Sequence, residues 1–321
     1  MFADILLLLL GLALVVVGSD ILVDGSSSVA RRLGVSEFVI GLTIVGMGTS
    51  APEMVVSFIG AIKGSADIAV GNILGSNIFN TLLILGVTSL ILPIAISPTN
   101  RRRDIPINIV ATLLLVIFGL SGGRTISRIE GGIFLVLFVA YMVFSFLKDD
   151  KILESEGEVK SRSVFLSVLF ILGGIAGLII GGRLFVNNAT KIAAAAGVSD
   201  KFIAITILAG GTSLPELATC IAAAVKKKGQ LALGNIIGSN IFNILLILGG
   251  SALITPLSFE AMNPLDLGVL VASSLFLLMA IFTGRNSRIG RGDGVAFTLL
   301  WAVYMAGLVY MVINPSFVIK F

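Results

Sequence analysis

The sequence predicts an all-α integral membrane protein with ten transmembrane helices in two inverted five-helix repeats. Three observations carry that expectation. Of 321 residues, 56% are hydrophobic and only 12% are charged, more apolar surface than a water-soluble core of this size could hide. Apolar runs of about 20 residues, the length that crosses a bilayer's hydrocarbon, recur from end to end, whereas a barrel would show short alternating segments. Finally, much of the first half of the chain recurs 163 residues later.

The first five runs fall near 3–28, 37–62, 67–92, 105–121 and 129–147. The second five fall near 164–190, 201–225, 230–255, 265–283 and 294–314. No Lys or Arg precedes the first run, and no small-residue cleavage pattern follows it, so it reads as a membrane helix rather than a signal peptide. "KDDKILESEGEVKSR" at 148–162 is polar and mixed in sign, the composition of a solvated linker. The expected division is a first repeat at 1–147, a cytoplasmic linker at 148–163 and a second repeat at 164–321.

Between Gly18 and Pro93 the first repeat lies on the second without a gap. Over 48–86 against 211–249, 22 of 39 residues are identical. Gly34/Gly197, Thr43/Thr206 and Pro93/Pro256 extend the match. Five is odd, so each half ends on the side opposite its start. The halves are therefore expected to be inverted about a pseudo-two-fold axis in the membrane plane. Loops after the odd-numbered spans carry fifteen Lys and Arg, from Arg31 to Arg291, against six on the other side. The positive-inside rule then puts both termini outside the cytoplasm of a cell (inner) membrane.

Histidine is absent and Cys220 is the one cysteine. That excludes an internal disulfide, His/Cys zinc sites and Ser-His or Cys-His catalytic pairs. The net charge of +4 does not point to nucleic acid.

The informative residues are polar ones inside apolar spans. Span 2 carries "GMGTSAPE" and span 7 "AGGTSLPE". Pro52 and Pro215 lack an N–H and crowd the preceding turn, which predicts kinks there and freed carbonyls, those of Thr49 and Thr212 included. Beside each kink stands a carboxylate, Glu53 or Glu216. Ser50 shares a helix face with Glu53, and Ser213 with Glu216. Carboxylates inside a membrane default to ion or proton pathways. The bland alternative is a neutral Glu, or one paired with a base, and the interiors of spans 2, 3, 7 and 8 offer no Lys or Arg.

Spans 3 and 8 carry "GNILGSNIFN" at 71–80 and "GNIIGSNIFN" at 234–243. Asn72, Ser76 and Asn80 are spaced i, i+4, i+8 along one helix face, as are Asn235, Ser239 and Asn243. Gly71 and Gly75 form a small-xxx-small patch expected to admit another helix. The bland alternative for these Asn and Ser side chains is interhelical glue, a reading that weighs more for Asn77 and Asn240 than for Ser76, Asn80, Ser239 and Asn243.

Together these groups are hard oxygen donors, suited to Ca²⁺, Na⁺ or Mg²⁺, and six to eight flexible oxygens suit Ca²⁺ best. Two carboxylates about 5 Å apart repel by roughly 3 kcal/mol at an effective dielectric near 20. One divalent ion cancels both charges, as do two monovalent ions or protons. A site that crosses readily when filled and resists crossing when empty enforces exchange. Three other readings remain open at this point: a Ca²⁺/H⁺ antiporter of the same fold, a passive cation channel, and an intramembrane serine hydrolase, the last without a His or Lys partner for its serine.

At these residues the chain resembles the cation/calcium exchanger superfamily, and within it prokaryotic Na⁺/Ca²⁺ exchanger-like proteins. "GTSAPE…GNILGSNIFN" and "GTSLPELATC…GNIIGSNIFN" look like that family's two alpha repeats, at 43–86 and 206–249. The resemblance implies a Na⁺/Ca²⁺ antiporter rather than an enzyme. It implies a Ca²⁺ site from Glu53, Glu216 and the carbonyls of Thr49 and Thr212. It implies Na⁺ sites using Ser50, Ser76, Ser213, Ser239 and the carbonyls of Gly46 and Ala209, with Asn80 and Asn243 at the centre. Some relatives carry Asp at one of those last two positions; here both are Asn, so the extra carboxylate is missing, which bears on stoichiometry and any K⁺ coupling. No cofactor and no obligatory protein partner are expected: Ca²⁺ and Na⁺ are cargo, and H⁺ or K⁺ stays open as a further ion. Spans 1 and 6 would slide over the rest, with Gly11, Gly18, Gly173, Gly174, Gly177, Gly181 and Gly182 fitting smooth packing. Asp20 and Arg183, equivalent under the repeat, read as solvated helix ends, with a functional ion pair as the alternative.

Overall fold

The computed structural model describes residues 1–121, 123–149, 162–198, 203, 207, 209–260, 262–283 and 288–314. Among these, eight helices are long and apolar enough to cross a membrane, and a bent pair supplies a ninth crossing. The first half contains α1 (Phe2–Leu33), the bent pair α2 (Glu37–Thr49) and α3 (Ala51–Ile62), α4 (Asp67–Ile91), α5 (Asn100–Leu120) and α6 (Arg128–Leu147). The second contains α7 (Val164–Ala195), the short turn α8 (Ala209–Gly211), α9 (Leu214–Val225), α10 (Gly229–Ile254), α11 (Pro264–Thr283) and α12 (Arg291–Ile313). Thr206 and most of the start of the predicted seventh span lie outside the described residues. So do linker residues 150–161 and Lys151, Lys160, Lys201, Arg285 and Lys320 of the charge count.

Helix α1 runs five residues beyond its apolar stretch. Arg31 and Arg32 occupy its last turn, where cations offset the partial negative charge of free carbonyls. Gly34 then closes it with φ 63°, a left-handed conformation that glycine adopts without strain. Ser36 and Ser163 cap α2 and α7 by accepting from Val39 N and Leu166 N, each at 3.2 Å. Ser127 and Glu130 form a reciprocal capping box on α6.

The long helices α1 and α7 cross in close backbone contact. A Cβ on Gly18 would lie 2.9 Å from Gly174 O, and one on Gly174 would lie 2.7 Å from Gly18 O. Gly11 faces Gly181 in the same way. Gly173 and Gly182 make no such close backbone contact: a Cβ on Gly173 would meet the Ile21 side chain of α1 at 3.8 Å, and Gly182 borders a cleft. Inside the bundle α10 is buried almost throughout, and α4 along about two thirds of its length. Exposed apolar side chains such as Val136, Phe165 and Val303 form the lipid-facing surface.

The equivalent glycines of α4 and α10 behave differently. Gly234 and Gly238 press on the α2 backbone, where added Cβ atoms would lie 2.2 Å from Phe38 O and 2.4 Å from Leu42 O. Gly71 and Gly75, expected to admit a neighbouring helix, are instead exposed and line the cleft. One half of the molecule is closed at the position where the other is open.

Two short ribbons depart from the all-α expectation. Pro93 and Pro256 follow the ends of α4 and α10, where a proline cannot continue the backbone ladder. The next residues, β1 (Ile94–Ala95) and β3 (Leu257–Ser258), are extended. β1 pairs antiparallel with β4 (Arg288–Ile289), and β3 with β2 (Thr125–Ile126). Each ribbon joins one half of the chain to the other, through the buried pairs Ile94↔Ile289 and Ile126↔Leu257.

Candidate cation site

The kink expected at Pro52 lies two residues earlier. Ser50 (φ −80°, ψ 8°) leaves the helical conformation, and α2 and α3 meet at 50°. Ser213 (φ −88°, ψ 8°) does the same before α9. Each proline thus sits near the start of a new helix, where its missing N–H is no loss. Glu53 and Glu216 fall in the first turns of α3 and α9, next to free backbone N–H groups that favour negative charge.

Both carboxylates are buried, and each is held from the opposite half of the chain. Ser50 Oγ donates to Glu216 Oε1 at 2.9 Å, and Ser213 Oγ donates to Glu53 Oε1 at 3.2 Å. Ser76 Oγ also reaches Glu53 Oε1, at 3.4 Å. A serine three residues from one glutamate therefore binds the other, which brings the two acidic turns face to face.

The asparagines repeat the crossed pattern. Asn80 Nδ2 donates to Asn240 Oδ1 at 3.1 Å, and Asn243 Nδ2 donates to Asn77 Oδ1 at 2.9 Å. Asn240 Nδ2 donates to Thr81 Oγ1 at 2.9 Å, and Asn77 Nδ2 to Asn240 O at 3.2 Å. Because Asn77 and Asn240 present their oxygens, Asn80 and Asn243 must turn their NH₂ groups toward them. Their own Oδ1 atoms then face the other way. Phe79–Ile84 and Phe242–Leu248, which carry Asn80 and Asn243, are π-helical turns, an irregularity frequent at functional sites.

At this crossing of the two halves, four of the buried oxygens without a hydrogen-bond donor among the described residues come together in the motif: Glu53 Oε2, Glu216 Oε2, Asn80 Oδ1 and Asn243 Oδ1. They form two repeat-related pairs. A buried acceptor without a partner costs about 1–3 kcal/mol, more for a charged group. Hard acceptors with no donor are the ligand set of a hard cation.

The other predicted residues divide into frame and wall. Asn72 Nδ2 is occupied by Glu53 O (3.2 Å) and Ser57 Oγ (3.1 Å). Asn235 accepts from Thr49 Oγ1 at 3.1 Å and donates to Cys220 Sγ at 3.2 Å. Gly46 O accepts from Thr49 Oγ1 at 3.4 Å and from Ser239 Oγ at 3.5 Å. Ala209 begins α8, just before the second break. Thr212 is half-buried and borders the cleft, whereas Thr49 is fully buried. That cleft, of about 850 Å³, runs between α3, α4 and α7, with Asn72, Gly75, Arg183 and Thr212 in its wall.

The orienting role of Asn77 and Asn240 was not evident from spacing, which separates them from the Asn–Ser–Asn face. The signal available was their identity under the 163-residue shift, which also equates Ser57 with Cys220.

Known proteins resemble this chain along nearly its whole length. The family model described as sodium/calcium exchanger protein matches twice, over residues 3–147 and 166–310. The chain belongs to the sodium/calcium exchanger family. The family is one of transporters, not enzymes. The two matches begin 163 residues apart, the spacing of the internal copy. CaxA of Alkalimonas amylolytica is 41% identical over 314 residues, covering 95% of this chain and 98% of its own. The sodium/calcium exchanger MaX1 of Methanosarcina acetivorans is 35% identical over 354 residues, covering 96% and 99%. A solved structure of the sodium-calcium exchanger NCX_Mj, soaked with Na⁺ and Ca²⁺, superposes with a TM-score of 0.83 at 35% identity, covering 95% of this chain and 98% of that one. This exchanger-family chain is thus a multi-pass membrane protein, helical apart from its two short ribbons, with the fold of that structure.

Proposed function

We propose that this protein is a secondary antiporter that exchanges Na⁺ for Ca²⁺ by alternating access, with both ions bound between its two halves. The observation that carries the reading is the set of four buried, donorless oxygens on Glu53, Glu216, Asn80 and Asn243. Glu53 and Glu216, with the carbonyls of Thr49 and Thr212, hold Ca²⁺. Ser50, Ser76, Ser213 and Ser239, with the carbonyls of Gly46 and Ala209, serve Na⁺. Sodium rather than H⁺ as counter-ion is supported by the sodium/calcium exchangers among the relatives and by hydroxyls that a proton would not need.

In this reading ten spans form repeats at 1–147 and 164–321, joined by a cytoplasmic linker at 148–163. Both termini lie outside the cytoplasm. The cleft beside α7, whose wall includes Ile68 just after the α3–α4 loop, is then the extracytoplasmic entrance. Vesicles loaded with Na⁺ and diluted into Na⁺-free medium take up Ca²⁺ if the reading holds, and collapsing the Na⁺ gradient stops uptake. Uptake driven by a pH gradient without Na⁺ would overturn the choice of counter-ion.

A further inference from the structure

Away from the cleft lining, Lys226 follows the last turn of α9. Its Nζ lies 2.7 Å from Asp20 Oδ1 and 2.7 Å from Asp24 Oδ1 on α1, and 2.9 Å from Asp20 O. Asp24 divides its carboxylate: its other oxygen receives Arg162 Nη2 at 3.2 Å. Arg162 N also donates to Ser28 Oγ at 3.0 Å, and Ser28 meets Ser167 of α7 at 2.9 Å. The crossed pair α1–α7 is thereby tied to the inner bundle at one point on the closed face. Asp20 is not the freely solvated helix end that its sequence position indicates.

The 163-residue shift turns Asp20 into Arg183, Asp24 into Asn187 and Lys226 into Lys63. Arg183 and Asn187 border the open cleft. Closing that face by the mirror-image movement would bring Lys63 toward Arg183, like charge against like, with an amide where Asp24 stands. Although the ion site is nearly symmetric, the charges at its two entrances are not.

We infer that Asp20, Asp24 and Lys226 form an electrostatic clasp that holds the entrance beside α9 shut and biases this exchanger toward the state with its cleft open beside α7. The inference rests on the alternating-access reading. Its test reads accessibility rather than transport, so the two can fail separately.

Leu231 is fully buried on the closed side, and its repeat equivalent, Ile68, is half-exposed in the cleft wall. In a Cys220→Ser background, full-length protein carrying Leu231→Cys or Ile68→Cys is reconstituted in liposomes and labelled with a membrane-impermeant maleimide from either side. Lys226→Gln is expected to raise Leu231→Cys labelling about 3- to 10-fold, the order set by losing two partly exposed ion pairs, while lowering that of Ile68→Cys. Lys226→Arg keeps the original pattern. Arg183→Asp with Asn187→Asp, which builds a clasp with Lys63 on the other side, shifts both probes as Lys226→Gln does. Unchanged labelling in folded, monodisperse Lys226→Gln overturns the inference. So does a rise at both probes, which would mean loosened packing rather than a shifted equilibrium.

Discussion

Ser50 and Glu216 are 166 positions apart in sequence and 2.9 Å apart in space, and Ser213 repeats the contact to Glu53 from the other half of the chain. The two helix breaks therefore form one buried acidic centre in which each half supplies a carboxylate and holds the other's. Either serine can be lost without losing a charge, which separates positioning from binding.

Replacing Ser50 or Ser213 by Ala removes one hydrogen bond to a carboxylate, worth about 1.5–3 kcal/mol. Ca²⁺ affinity, measured by calorimetry on purified protein, is expected to fall about 10- to 100-fold in both variants. Because the contacts are reciprocal, the two losses should agree within a few-fold. A loss confined to one serine would show that only one carboxylate is a ligand.

Asn240→Ala removes the acceptor that turns Asn80, although Asn240 is placed outside the ion site itself. Loss of a partner that orients a ligand costs about 10- to 100-fold in metal affinity, and ⁴⁵Ca²⁺ binding is expected to weaken by that order. Asn77→Ala acts on Asn243 in the same way. Unaltered binding in both variants would return these residues to a packing role.

Gly18→Val places branched carbons against α7, where a Cβ alone lies 2.9 Å from Gly174 O. Overpacking of this kind costs about 1–3 kcal/mol. It acts at the seam between the crossed helices, away from the ion oxygens. Exchange in vesicles is expected to fall about 5- to 150-fold, the range those energies convert to, with equilibrium Ca²⁺ binding nearly unchanged. Equal losses of binding and exchange would place the effect at the site instead.

Gly71→Ala and Gly234→Ala should differ although the positions are equivalent. The first adds a methyl to the open cleft. The second drives one into Phe38 O, where its Cβ would lie 2.2 Å away. Thermal unfolding in detergent is expected to show Gly234→Ala less stable than the parent and Gly71→Ala close to it. The opposite order would mean that the open and closed halves are wrongly assigned.

Much of this architecture is legible in the sequence because hydrocarbon penalises polar groups severely. A Glu, Ser or Asn kept in an apolar run stands out, and a second copy at 163 residues marks it again. The geometry around those residues is less legible. The break falls at Ser50 rather than Pro52 because a proline is accommodated best just inside a new helix start. The two-residue ribbons at Ile94 and Leu257 are too short for an alternating pattern to appear. Asp20 looks like a solvated terminus because its partner, Lys226, lies 206 residues away, and charge pairing at that range leaves no local trace. The unequal packing of Gly71 and Gly234 is a property of one conformation, which matching letters cannot encode.

The central claim is that Glu53 and Glu216 jointly hold a divalent cation between the halves of the chain. Anomalous diffraction from crystals soaked in Sr²⁺, an electron-rich substitute for Ca²⁺, tests it most directly. The account predicts one dominant peak at about 2.3–2.8 Å from oxygens of both carboxylates, a little beyond the Ca²⁺ range, and its loss in Glu53→Gln. A peak bound to one glutamate alone, or density elsewhere in crystals of a preparation that exchanges Ca²⁺ when reconstituted in vesicles, would contradict it.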